Sequence, residues 1–239
     1  MNAEIKSASP APLAQQDGLG AFWGARLWYK FCYVLQAHTF SLGFSLRTEG
    51  GMHAPRTGPA LVVANHQSYL DPVLIGLAFP RQLIYLARKS LFDNPMFSWL
   101  IRSLNAVPID QDGIGKEGIR TILQQLNHGK AVVVFPEGER TLTGRMNSLK
   151  PGVHLLIKRT QAPIVPVGIA GAYQAWPRHQ PWPVPAPLFW PASQGTIAVS
   201  VGRPLEASRF AGLPREQALT ELYQEIDAVQ RRAEKLRRQ

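Results

Sequence analysis

Two short polar sequences, each placed directly after an apolar run, hold residue types able to move protons and grip anions. The first is Asn65-His66-Gln67-Ser68-Tyr69-Leu70-Asp71-Pro72, which follows Ala60-Leu-Val-Val-Ala64. An imidazole and a carboxylate this close in sequence can meet across one loop. A carboxylate that accepts the N–H of one ring nitrogen fixes the tautomer and leaves the other nitrogen free as a base. Asp71 stands before Pro72, the pattern of a helix N-cap followed by proline in the first turn, so His66 is expected in the loop ahead of a helix. The structural alternative is that Asp71 only caps its helix and His66 only satisfies local backbone. No Gly-x-Ser-x-Gly nucleophile elbow accompanies the pair, so a dyad here suits a reaction whose hydroxyl is supplied by the substrate.

The second sequence, Pro136-Glu137-Gly138-Glu139-Arg140, follows Ala131-Val-Val-Val-Phe135. A guanidinium matches a phosphate or carboxylate as a two-pronged fork. Alone this loop says little, because exposed Glu-Arg pairs are common and contribute little. Metal chemistry is a poor fit. The lone Cys32 and the absence of any His pair at ligand spacing leave no metal-binding pattern, and one cysteine makes no disulfide framework.

Elements that could position these sequences are legible in the apolar runs. Residues 60–64, 83–87, 106–109, 131–135, 164–169 and 197–201 are short and unbroken, as expected of strands covered on both faces. Between them, Lys116 to Asn127 places Ile119, Ile122, Leu123 and Leu126 at helical spacing with Gly129 as a stop, and residues 72–78 and 152–159 are shorter helical candidates. This alternation predicts an α/β fold: a single domain with a largely parallel mixed sheet flanked by helices, plus an N-terminal interfacial helical segment. In a parallel α/β sheet, functional groups gather beyond the carboxyl ends of the strands, where both polar sequences fall.

The chain has 239 residues, enough for one good-sized domain, with a net charge of +10 although only 18% of residues are charged. A basic protein that is sparing with charge fits a membrane surface better than nucleic acid. Residues 1–20 have neither the basic start nor the apolar core of a signal peptide and are expected to form a flexible tail. Residues 21–48 are rich in Phe, Trp, Tyr and Leu but are interrupted by Arg26 and Lys30. They are too polar and too short in their uncharged part to span a bilayer. The segment suits a helix or helical hairpin in the headgroup layer, the alternative being a helix packed on the domain's own core. Residues 49–239 would form the α/β domain. It ends in a helix opened by Pro214, with Leu219, Leu222, Ile226 and Val229 on one face and a basic end (Arg231, Arg232, Lys235, Arg237, Arg238). That basic end complements the helix dipole or attracts anionic lipid. Pro177 to Pro191 holds six prolines with Trp182, Leu188, Phe189 and Trp190. It can be neither helix nor central strand, and either caps a pocket, dips into lipid, or packs as a surface loop.

Together, Asn65-His66-Gln67-Ser68-Tyr69-Leu70-Asp71 and Phe135-Pro136-Glu137-Gly138-Glu139-Arg140 closely resemble the first and third blocks of the glycerolipid acyltransferases related to lysophosphatidic acid acyltransferase, the PlsC family. Val165-Pro166-Val167 with Gly171 is similar to the fourth block. Lys150-Pro151-Gly152 matches the turn between the third and fourth, and Ala106 to Asp110 sits where the second belongs. The resemblance covers roughly residues 55–205 and departs from the family at Gln111, where an Arg is usual, and at Glu139, where a Thr is usual.

The resemblance implies transfer of a fatty acyl group from acyl-CoA or acyl-carrier protein to the free hydroxyl of lysophosphatidate, giving phosphatidate, with no cofactor beyond that co-substrate. His66 would be the base and Asp71 its partner. Arg140, with Lys116, would grip the acceptor phosphate, while Asn65, Glu137 and Gly138 complete the substrate-binding set and backbone N–H groups near Gly138 serve the oxyanion. It implies an enzyme associated with an anionic membrane surface on the cytoplasmic side. Gln111 favours a rival acceptor, a lyso-aminolipid or another lysophospholipid. The rival from outside this chemistry is a non-catalytic basic module binding membranes or nucleic acid, which would leave both motifs without a purpose.

Overall fold

Strand residues divide cleanly between two apolar layers, and that division sets the architecture. The computed structural model describes residues 19–109 and 115–238. The elements run α1 (Leu19–Phe44), β1 (Arg47–Glu49), β2 (Ala60–Ala64), α2 (Asp71–Ala78), β3 (Ile84–Arg88), α3 (Pro95–Ser103), β4 (Ala106–Ile109), α4 (Lys116–Asn127), β5 (Ala131–Val134), α5 (Gly152–Lys158), β6 (Ile164–Ala170), α6 (Ala172–Ala175), β7 (Ala198–Val201), α7 (Ser208–Ala211) and α8 (Arg215–Leu236).

Seven strands form one sheet in the order β1-β7-β6-β2-β5-β3-β4. Every neighbouring pair is parallel except β6 with β7. In β2, Ala60, Val62 and Ala64 enter the layer containing α2 and the end of α1, whereas Leu61 and Val63 enter the layer containing α4, α5 and α8. The same alternation recurs in β5, with Val133 on one side and Val132 and Val134 on the other. A strand needs apolar residues at every position only when both its faces are covered, so the expected α/β class with a mostly parallel mixed sheet is the one found. Gly168 permits the closest of these packings. A Cβ there would lie 2.2 Å from the Gln230 nitrogen, so α8 rests directly on β6.

The ends of the chain refine the sequence reading. The tail expected over 1–20 falls outside the described residues up to 18, and α1 already begins at Leu19. One continuous helix, not a hairpin, runs to Phe44. The segment expected to end at 48 also contributes the start of β1, which pairs with β7 at the sheet edge. Cys32, Phe40 and Phe44 of α1 are buried, and the Tyr33 hydroxyl donates to the Leu77 carbonyl at 3.2 Å. The opposite face exposes Leu27, Phe31, Val34, Leu35 and Leu42. Among the described residues no helix is long and apolar enough to cross a membrane.

Candidate active site

β2 and β5 lie side by side and parallel, with Val63 paired to Val134. Both polar sequences therefore leave the same sheet edge as neighbours. Two backbone contacts stitch them: the Thr141 N–H donates to the His66 carbonyl at 2.9 Å, and the His66 N–H donates to Glu137 Oε1 at 2.7 Å. The turn after β5 closes where the Gly138 N–H donates to the Phe135 carbonyl at 3.0 Å, with Gly138 at a φ of 78°, a conformation that favours glycine. That bond commits the Gly138 amide to the turn.

The dyad is assembled. His66 Nδ1 lies 2.7 Å from Asp71 Oδ2, and the same oxygen accepts the N–H groups of Gln67 at 2.6 Å and Ser68 at 2.8 Å. Asp71 is fully buried and its Oδ1 has no partner, whereas the His66 side chain keeps 18% of its surface exposed. With the Nδ1 proton donated to Asp71, Nε2 is the ring nitrogen left to accept, and among the described residues no hydrogen bond occupies it. Phe135 stacks on the imidazole, with ring centroids 3.9 Å apart and planes inclined by 15°, which fixes the second rotational freedom of the ring.

The N-cap reading of Asp71 is corrected here. Asp71 is the first residue of α2, the cap position belongs to Leu70, and the carboxylate turns back onto the loop that precedes it. Pro72 supplies the helix start without needing an N–H.

Two residues expected to touch substrate instead hold the site together. Asn65 is fully buried, and its amide accepts the Ile169 N–H at 2.8 Å and donates to the Ile169 carbonyl at 3.0 Å. It extends the pairing of β2 and β6 beyond the last strand residue. Glu137 is buried too, and its second oxygen accepts the Asn147 N–H at 2.6 Å. Burial pushes the Glu137 carboxyl up to about 7, against the pull of its two amide donors and with a further push from Asp71. Both acceptor oxygens are spoken for by backbone, so Glu137 positions His66 rather than ligand.

Arg140 is half-buried beside this loop. Its guanidinium lies 3.6 Å from the centroid of the Tyr69 ring, which packs in turn against Trp176 at 5.3 Å. Arg178 joins the same rim, pairing with Glu139 Oε2 at 3.2 Å and donating to the Arg140 carbonyl at 3.3 Å. Lys116 opens α4, and no hydrogen bond or ion pair joins it to this rim. Asp110 and Gln111 lie outside the described residues. Tyr69, Phe135 and Arg178 were not singled out from sequence. Tyr69 and Phe135 lie inside the motifs themselves, and only the folded geometry shows which rings they meet. Arg178 carries no local signal.

The Acyltransferase family model matches residues 45–170, just over half of the chain. The chain belongs to the acyltransferase family. This acyltransferase is 27% identical over 200 residues to the 1-acyl-sn-glycerol-3-phosphate acyltransferase of Bacillus subtilis (strain 168), a match covering 83% of the chain and 93% of that relative. It is 34% identical over 113 residues to the enzyme of the same name from Streptococcus pneumoniae, covering 46% of the chain and 41% of the relative. Its fold matches the crystal structure of the 1-acyl-sn-glycerophosphate (LPA) acyltransferase PlsC from Thermotoga maritima with a TM-score of 0.71 and 24% identity, over 93% of this chain and 84% of that one.

Proposed function

We propose that this enzyme transfers a fatty acyl group from an acyl thioester, acyl-CoA or acyl-carrier protein, to the free hydroxyl of lysophosphatidate, giving phosphatidate in phospholipid biosynthesis. The observation that carries the reading is the buried Asp71 oriented on His66 Nδ1 with Nε2 left open. The acceptor hydroxyl gives its proton to Nε2 as its oxygen attacks the thioester carbonyl. Asp71 stabilises the imidazolium that results. The tetrahedral adduct collapses with loss of the thiolate, which takes the proton from the imidazolium and leaves as the free thiol. A base placed in this way contributes about 10²–10⁴ in rate. The thioester is the one co-substrate, and no resident cofactor is assigned.

Arg140 grips the acceptor phosphate, with Lys116 as a second cation. Names of the relatives support lysophosphatidate as acceptor. The second reading, another lysolipid, rests on the neutral Gln111. Lipid acceptor and product both belong to a bilayer, and the exposed apolar face of α1 together with the +10 charge supports docking on an anionic membrane, on its cytoplasmic side. The test is a panel of lysolipid acceptors offered with one labelled acyl-CoA and, in parallel, one acyl-carrier protein. Preference for lysophosphatidate is expected; equal or better use of an unphosphorylated lysolipid sinks the acceptor assignment.

A further inference from the structure

The proline-rich loop 177–191 has a fixed backbone and an uncovered surface. It is held along the end of α1, where the Ala186 N–H donates to the Gly43 carbonyl at 2.8 Å, the Leu188 N–H to the Leu42 carbonyl at 2.9 Å, and the Ser45 hydroxyl to the Ala186 carbonyl at 2.8 Å. From the other side the Arg238 guanidinium donates to the carbonyls of Leu188 and Trp190, while Arg237 holds the carbonyls of Gln194 and Thr196. The basic end of α8, read from sequence as a solvated or lipid-attracting face, thus spends its last two arginines on fastening this region. So restrained a backbone nevertheless leaves Phe189 82% exposed, Trp182 78% and Trp190 67%. These rings add nothing to the domain's own core.

The exposed rings continue an apolar surface that already exists. Leu27, Phe31, Val34, Leu35 and Leu42 fall within a sector of about 100° on α1 when the helix turns ~100° per residue, and this stripe is ~22 Å long at ~1.5 Å per residue. Its end, Leu42, is bonded through its carbonyl to Leu188, the residue before Phe189 and Trp190. Lys30 flanks the stripe and is suited to anionic headgroups. Indole rings favour the membrane–water interface, where one edge is apolar and the other wet. The loop follows directly on Trp176, whose carbonyl accepts the Ser68 hydroxyl at 2.7 Å beside the dyad.

We infer that the aromatic tip of loop 177–191 is a second membrane-docking element, fastened by Arg238, that enters the headgroup layer of an anionic bilayer alongside α1 and holds the catalytic loop at that surface. The inference deepens the proposed lipid-acyltransferase reading and rests on it for its purpose, but not for its test. Binding of the full chain to vesicles of phosphatidylglycerol and phosphatidylcholine in equal parts, measured by sedimentation without donor, should be about tenfold weaker for Phe189→Ser/Trp190→Ser, as expected when two aromatic rings lose partial burial. Arg238→Ala should weaken it in the same direction by less. With the double variant, acyl transfer to a lysolipid embedded in those vesicles should fall in step, while transfer to a short-chain acceptor dispersed in water stays unchanged. Unaltered vesicle binding overturns the inference. So does an equal loss on the dispersed acceptor, or a wild-type dimer that the double variant converts to monomer. Failure of the unaltered protein to acylate any lysolipid would sink the proposed function and leave the vesicle result standing.

Discussion

The His66–Asp71 loop and the Arg140 rim sit side by side, yet they are built in opposite ways. On the dyad side every placement is enforced more than once: one Asp71 oxygen takes three donors, Glu137 and Thr141 clamp the His66 backbone from both ends, and Phe135 fixes the ring. The rim is held by one Arg178 hydrogen bond to the Arg140 carbonyl and by a cation–ring contact and a half-exposed ion pair, the latter two worth about 0.5–1 kcal/mol each at such sites. Proton transfer tolerates little misplacement, whereas an ionic grip on a phosphate tolerates more. Rigidity is concentrated at the proposed base and slackens at the proposed phosphate grip.

If that contrast is right, substitutions on the dyad side should strike turnover and those on the rim should strike affinity. The largest effect belongs to His66→Ala, which removes the base and should lower turnover by roughly 10³-fold or more with circular dichroism and thermal unfolding unchanged. Near-normal turnover would end the base assignment. Asp71→Asn can keep an oxygen in place for the Gln67 and Ser68 amides but cannot compensate an imidazolium, so the expected loss is about 10²–10⁴ in kcat with a much smaller change in melting temperature. A collapse of the fold instead would mean that the buried charge serves structure first.

Glu137→Gln separates positioning from chemistry. The amide group of Gln places an NH2 against the N–H of His66 or Asn147, a buried donor facing a donor, at a cost of about 1–3 kcal/mol. Lower stability and a reduced kcat with an unchanged acceptor KM are expected. The wild type carries a pH signature that the variant should lack. Glu137 is held up to about 7 from an ordinary 4.5, so between those values the folded protein keeps a proton that the unfolded chain has released. This group's contribution is therefore greatest below the unfolded value, declines as pH rises through the interval, and is lost above the folded value. Melting temperature of the wild type should fall more steeply across that window than that of Glu137→Gln. Parallel curves would show that the carboxyl is ionised throughout.

Legibility from sequence follows the same divide. The dyad could be read because its members share one loop, and six of the seven strands announced themselves as apolar runs within a residue or so of their observed ends. β1 did not, since Arg47-Thr48-Glu49 is exposed at all three positions and becomes a strand only by pairing with β7. The structural roles of Asn65 and Glu137 depend on which strands are neighbours: Asn65 reaches Ile169 on β6, and Glu137 reaches Asn147 beyond β5. No spacing rule carries that information. Arg237 and Arg238 were misread for the same reason, because their carbonyl partners lie some forty to fifty residues away in sequence.

The smallest effects test the rim. Arg140→Ala should raise the KM for a phosphorylated acceptor about tenfold, the loss of one exposed charge-assisted contact, and leave kcat nearly intact. Tyr69 does not need to touch the substrate to matter there. Its ring carries the Arg140 guanidinium on one face and meets Trp176 beside it, so Tyr69→Leu should raise the same KM by about two- to fivefold, as expected when a contact of ~0.5–1 kcal/mol is lost. Tyr69→Phe keeps the ring and should restore wild-type affinity. In the Arg140→Ala background the Tyr69→Leu change should have no further effect on KM, since the residue it positions is gone. Additive losses in the double variant would mean that Tyr69 contacts the acceptor directly and that the rim is better ordered than its few bonds suggest.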